Sequence, residues 1–228
     1  MSMIKTNTKP LSVNPKIMLL YGAPKVGKTT MLSKLDDCLI VDTESGSNMV
    51  SGTIARCSSR EELFALLQEL NTREDKFKYI ALDTIDNIAD WADSAVCEEE
   101  GVRAVQDLPF GKGFGLVRSK VMRTIETFSE LTENLIIIGH RKVAYAVTDG
   151  STLVIPESLD LTGKTKNLIM SKCDAIGYMY RGEEGDLRVS FNSNNAIEAG
   201  SRCEHLKGED FPFEWNSIYK ESTDEVAS

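Results

Sequence analysis

Eight consecutive residues of this chain satisfy a pattern whose chemistry is specific. Gly22-Ala23-Pro24-Lys25-Val26-Gly27-Lys28-Thr29 matches the phosphate loop G-x-x-x-x-G-K-[ST] at every constrained position, and Thr30 continues it. The glycines permit a tight loop whose backbone N–H groups turn inward on a polyphosphate, with a helix start behind them adding positive potential. Lys28 is then placed to reach the β- and γ-phosphates, and Thr29 to offer its hydroxyl to Mg2+. The competing reading is a Gly-Lys-Thr turn joining a buried strand to a helix. The surroundings favour the site, because residues 16–21 form an apolar strand candidate and residues 29–35 read as the opening of a helix. The expectation is a nucleoside triphosphate site.

Three further polar residues stand at the ends of apolar runs, where open parallel sheets gather their ligands. Asp83 ends the run 79–83 and is placed to orient Mg2+ as a carboxylate, although it could instead cap the next helix, a role open to Thr84 as well. Glu44 lies just beyond the run 38–42 and could polarise the water that attacks a γ-phosphate, with Asp42 as its rival. His140 closes the run 135–139 and could hydrogen-bond the γ-phosphate or serve the structure alone.

These residues need strands and helices to hold them, and the patterning supplies both. Short runs at 38–42, 53–57, 79–83 and 135–139 read as strands, the central ones too apolar to face water. Ser59-Arg-Glu-Glu62 is a capping box, and Leu63, Leu66, Leu67 and Leu70 follow at helical spacing. Ile85, Ile88, Ala89, Ala92 and Val96 fall on one helical face. Residues 101–115, ending in Gly111-Lys-Gly-Phe-Gly115, read as a loop before a helix over 116–131. Beyond His140 the texture changes to shorter strands at 143–147, 152–155, 175–180 and 187–191, interrupted by a helix over 166–171. The expected fold is α/β: a mainly parallel twisted sheet flanked by helices, with antiparallel strands added at one edge. Residues 1–15 read as a flexible arm, 16–206 as the core, and 207–228 as a tail with a disordered end.

Composition narrows the function classes. The chain has 228 residues, 41% of them hydrophobic, and no apolar run approaches a membrane span. Without a hydrophobic leader, a cytoplasmic setting is expected. Five scattered cysteines and two histidines argue against a disulfide scaffold or a zinc site. A net charge of −9 does not advertise nucleic-acid binding, yet basic residues gather at Lys112, Arg118, Lys120 and Arg123, at Arg141 and Lys142, and at Lys164, Lys166 and Lys172.

Together the phosphate loop, a strand ending Asp42-Thr-Glu-Ser-Gly46, a strand ending Leu82-Asp-Thr84, the Gly111-to-Gly115 segment and Ile136-Ile-Ile-Gly-His140 resemble the RecA-like P-loop proteins of bacteriophages. That group includes the Sak-type single-strand annealing proteins, often catalogued as phage AAA-type nucleotide-binding proteins, and the resemblance covers residues 16–206. It implies a RecA-like ATPase that uses ATP and Mg2+, assembles on single-stranded DNA as a homo-oligomer in the host cytoplasm, promotes annealing or strand exchange, and works beside a single-strand binding protein. By position Lys28 and Thr29 match the loop's functional pair, Asp83 the magnesium acid and Glu44 the catalytic carboxylate. His140 matches the sensor position, where the family usually carries glutamine. Arg202 resembles a late basic residue placed near nucleotide, across a subunit boundary in some relatives. The family's DNA loops would fall at 101–115 and 148–166, with Lys112, Phe114, Lys164 and Lys166 supplying phosphate contacts and a stacking face.

Three other classes compete, one of them a non-catalytic module that uses nucleotide only to assemble. Ser171-Lys-Cys-Asp174 resembles the [NT]-K-x-D guanine reader of GTP-dependent switches, with serine at the first position. A small-molecule kinase would need arginines over the phosphates, for which Arg141 and Arg181 are the candidates.

Overall fold

A computed structural model of the chain describes residues 12–142, 147–148, 152–153, 156–194 and 196–221. Most of the expected N-terminal arm, parts of the short strands expected at 143–147 and 152–155, part of the second DNA loop, and the end of the expected tail lie outside the described residues.

The apolar runs become strands whose buried residues alternate between two faces. In chain order the core is β1 (Ile17–Gly22), α1 (Lys28–Leu32), β2 (Cys38–Asp42), β3 (Thr53–Arg56), α2 (Arg60–Thr72), β4 (Tyr79–Asp83), α3 (Ile85–Glu100), α4 (Lys112–Leu131) and β5 (Asn134–Lys142). A short pair, β6 (Val147–Thr148) and β7 (Thr152–Leu153), precedes β8 (Ser158–Leu159) and α5 (Gly163–Lys172). Then follow β9 (Ala175–Arg181), β10 (Leu187–Ser190), β11 (Gly200–Ser201), β12 (Asp210–Pro212) and α6 (Trp215–Ile218).

The main sheet runs β12-β10-β9-β1-β5-β4-β2-β3. Six of these eight strands pair in parallel, β9 among them; at one edge β10 pairs antiparallel with β9 and β12 antiparallel with β10. β11 and β8 add antiparallel pairs to β9 and to the end of β5. The expected fold class is therefore what the chain adopts. Parallel strands this apolar must be covered on both sides. Leu19, Tyr21, Val41, Leu82 and Ile137 face a layer holding Leu67, Ile88, Val121, Phe128 and Ile169 from α2 to α5. The intervening Met18, Leu20, Ile40, Ile136 and Ile138 face Leu32, Phe191, Phe213, Trp215 and Ile218.

Two expectations are corrected here. The Gly111-to-Gly115 segment is not the end of a loop. α4 begins at Lys112, with Gly111 in the left-handed region (φ 71) as its N-cap. Gly113 is a packing residue, since a Cβ there would lie 2.2 Å from the Val105 carbonyl oxygen. The stretch beyond residue 206 is not simply a tail either: β12 pairs with β10, and Phe213, Trp215, Ile218 and Tyr219 are buried in the second core. Apolar residues spaced over a short stretch without an obvious periodicity hide this role in the sequence.

Candidate active site

Every parallel strand of the sheet delivers its last residues to one end of the molecule. β1 stops at Gly22 in register with His140 of β5 on one side and Met179 of β9 on the other. Asp83 of β4 stands opposite Asp42 of β2. The sequence therefore needs only these apolar runs to bring the phosphate loop, both acids and the histidine to a common rim.

The loop itself carries the required backbone. Lys25 (φ 62) and Gly27 (φ 122) adopt positive φ, which folds the chain tightly over the end of β1. α1 extends only five residues, so anion binding rests on the loop amides and on Lys28 more than on a helix dipole. Lys28 is buried, and its Nζ donates to the carbonyls of Gly22 (3.2 Å) and Ala23 (3.0 Å). Burial lowers its pKa, against the pull of the Asp83, Glu44 and Asp86 carboxylates.

Thr29 and Asp83 meet directly. The Thr29 hydroxyl donates to Asp83 Oδ2 at 2.7 Å. Asp83 is 5% exposed, and burial pushes its carboxyl above the usual range, while the Thr29 hydrogen bond draws it back. A hydroxyl and a buried carboxylate oxygen, side by side at a phosphate loop, are the donors a hard divalent cation prefers, so the pair fits Mg2+. The peptide between Asp83 and Thr84 is cis. Thr84 is the N-cap of α3, as one reading of this segment required, but its side chain does not cap. Its hydroxyl donates instead to Glu44 Oε1 at 2.9 Å.

The rivalry between Asp42 and Glu44 is a matter of occupied lone pairs. Asp42 accepts from the amides of Glu44, Gly46 and Ser47 and from the Ser47 hydroxyl. Burial alone would raise its pKa, but those four donors hold the carboxyl below the usual range. Asp42 thus builds the turn that presents Glu44. Glu44 has only Oε1 engaged among the described residues, by Thr84 and by His140 Nδ1 at 3.5 Å, which leaves Oε2 for water. The same His140 nitrogen lies 3.5 Å from Asp86 Oδ2, which also accepts from the His140 backbone N–H at 3.2 Å. Thr43 and Asn87 stitch the ends of β2 and β4 together: Thr84 N–H donates to Thr43 Oγ1 (2.8 Å) and Asn87 to the Thr43 carbonyl (2.8 Å).

Asp86 was not among the residues singled out from sequence. Its only signal there is an acid in the first turn of a helix, an ordinary position for one. Arg181, a candidate from sequence for an arginine over the phosphates, lies beside the loop: a Cβ on Gly27 would be 3.4 Å from its Nη2, so its guanidinium rests against the phosphate loop. Arg141, its companion as an arginine candidate, is instead paired with Glu157 at 2.7 Å and with the Tyr178 hydroxyl at 3.1 Å.

Arg202 and Asp174 belong elsewhere. Asp174 accepts from the amides of Lys16 and Ile17 at the start of β1, and Arg202 leans on Asp174 and on the Ser171 carbonyl. A strand of six residues spans roughly 16 Å at ~3.3 Å per residue, so both lie at the opposite end of the sheet from the phosphate loop. Within one chain Arg202 does not approach the nucleotide site, and Asp174 is not a reader of a base bound there.

Of the residues expected to contact nucleic acid, two meet and two do not. α4 and α5 run antiparallel to the strands that follow them, so their first turns lie at the phosphate-loop end. There Phe110, Phe114, Arg118 and Lys164 line one cleft of about 370 Å³. Phe110 is fully exposed and Phe114 41% exposed. Lys112 is instead bound to Glu100 and Lys166 to Glu198, each at 2.6 Å. Phe114 and Arg118 stand one helical turn apart, a relation hidden while residues 112–115 are taken for loop.

No helix among the described residues is long and apolar enough to cross a membrane. No curated protein matches the chain in sequence. Solved structures that resemble it include that of the RadB recombinase, at 12% identity and a TM-score of 0.47, with 86% of each chain covered. A family model described as an AAA domain matches residues 14–203, from just before β1 to just after β11. With the phosphate loop, the strand-end acids and His140 all inside that stretch, the chain belongs to the AAA domain family.

Proposed function

We propose that the chain binds ATP and Mg2+ and hydrolyses the γ-phosphate, and that it acts on single-stranded DNA as a RecA-like recombination protein of annealing or strand-exchange type. The observation that carries the reading is the meeting of Lys28, Thr29, Asp83 and Glu44 around one strand-end rim. Lys28 exchanges two loop carbonyls for phosphate oxygens, a gain for a buried ammonium that only neutral acceptors now serve. Thr29 and Asp83 would hold Mg2+, which when bound offsets the negative charge of the phosphates. Glu44, anchored through Oε1, orients the attacking water with Oε2 and takes its proton.

The nucleic-acid half of the reading rests on the cleft of Phe110, Phe114, Arg118 and Lys164. Exposed aromatic faces beside cations that make no ion pair among the described residues suit stacked bases and a phosphate backbone. Assembly of several copies with nucleotide at a subunit boundary, the location in the host cytoplasm of a phage, and cooperation with a single-strand binding protein belong to the same proposal. A GTP- or ATP-dependent switch, or a small-molecule kinase with no nucleic-acid role, is the alternative.

Turnover of ATP and of GTP, each with and without single-stranded DNA, tests both halves, with Lys28→Ala as control. Stimulation by single strands, lost in Lys28→Ala, is the expected result. Nucleotide binding with no DNA response would remove the recombination role and leave the switch or kinase.

A further inference from the structure

We infer that Asp86 is a positioning residue of the hydrolytic site: it binds the backbone and ring of His140 together and so fixes the imidazole against Glu44. The inference rests on reading Glu44 as the group that activates water.

An acid in the first turn of a helix ordinarily complements the helix N-terminus from a solvated position. Asp86 does not stay there. Its side chain is only 20% exposed and is turned onto β5, with one oxygen serving both the amide (3.2 Å) and Nδ1 (3.5 Å) of His140. Glu44 Oε1 approaches the same Nδ1 at 3.5 Å. One ring nitrogen thus lies within ion-pair reach of two carboxylates from different elements. A histidine with a purely structural task would be satisfied by Asp86 alone. The second carboxylate makes the ring a bridge between α3 and the segment after β2.

Among the described residues, the charged groups facing His140 are few. Asp86 comes from α3, Glu44 from the turn after β2, and Lys28 from the phosphate loop. Asp160, beyond β8, reaches the His140 carbonyl through its own amide, and Arg141 on the same strand is directed to Glu157. The hydrogen bond that the ring gives to Asp86, opposed by burial and reinforced by the charges of Asp86 and Glu44, raises the pKa of His140. When Glu44 turns to water, Asp86 keeps the ring in place. His140 is then ready to donate toward the phosphoryl oxygens without a search for its rotamer.

The chain has only two histidines, His140 and His205, so their ring resonances can be followed by NMR without ambiguity. In Asp86→Asn the titration midpoint of His140 should fall by about 1 pH unit, while that of His205 stays in place. The alkaline limb of kcat should move to lower pH by the same interval, with KM for ATP nearly unchanged. His140→Gln should abolish that limb, and adding Asp86→Asn to it should then cost nothing further. A wild type that turns over ATP while Asp86→Asn leaves the His140 midpoint and the pH profile untouched overturns the inference alone. A wild type with no turnover overturns the hydrolytic reading and the role of Asp86 within it.

Discussion

Glu44 is held by one oxygen and free at the other, and that asymmetry sets what its replacement should do. Glu44→Gln keeps a carbonyl oxygen for the Thr84 hydroxyl but loses the base. Nucleotide affinity should stay within a few-fold of wild type, while kcat falls on the order of 10²–10⁴. Equal turnover by the mutant would remove Glu44 from the mechanism. His140 gives a second measurable consequence, in stability. Its folded pKa is raised above the unfolded value by neighbouring carboxylates. The stabilising contribution is therefore complete below the unfolded pKa of about 6.5 and is lost as pH rises through the folded value. The stability difference between wild type and His140→Gln should shrink as pH rises above about 6.5, as urea unfolding would show. At this scale the sequence was readable where spacing is fixed by chemistry: Lys28 and Thr29 follow from the loop pattern, and Asp83 from a run that ends in an acid. Asp86 was not readable, because nothing local distinguishes it from any acid at a helix start. The place of Arg202 within one chain was not readable for a related reason, since its side of the sheet depends on β9 running parallel to β1.

The strands followed their apolar runs closely, to the residue for β2 and β4, since a buried strand declares itself by excluding polar residues. Helix starts were harder. The box at Ser59 holds only in part: Ser59 Oγ accepts from Glu62 N–H at 3.3 Å, while the Glu62 carboxylate binds the amide and hydroxyl of Ser58. At α4 three glycines in five residues suggested a loop, yet Gly111 supplies a positive φ and Gly113 a close approach to Val105. Gly113→Ala should therefore destabilise the protein by about 1–3 kcal/mol despite alanine's better helix propensity. Gly115→Ala, with open space around it apart from Arg118 at 3.6 Å, should be neutral or stabilising. A reversed ranking in urea or thermal unfolding would show that Gly113 is not packed as described.

At the scale of the whole molecule, the fold is polarised. The phosphate loop, the Glu44–His140–Asp86 cluster and the aromatic cleft share one end of the sheet. The net charge of −9 says little about that end, because a total cannot report where charges sit. If single strands bind in the cleft, Phe110→Ala should weaken binding by roughly 1–3 kcal/mol with little effect on its salt dependence. Arg118→Ala and Lys164→Ala should each flatten the dependence of log K on log salt by about 0.7. Titrations of labelled oligonucleotide at three or four salt concentrations separate the two effects, and an unchanged affinity in all three variants would empty the cleft of its proposed role.

The other end of the sheet is where the described chain closes on itself. Asn14 and Lys220 exchange two hydrogen bonds, at 2.7 and 2.8 Å. Residues near the two ends of the described chain are thus neighbours, on the side away from the phosphate loop. Dyes attached near residues 14 and 220 would sit almost at one point and quench each other while the fold holds. Their separation on unfolding would give a readout of integrity that leaves the nucleotide rim untouched.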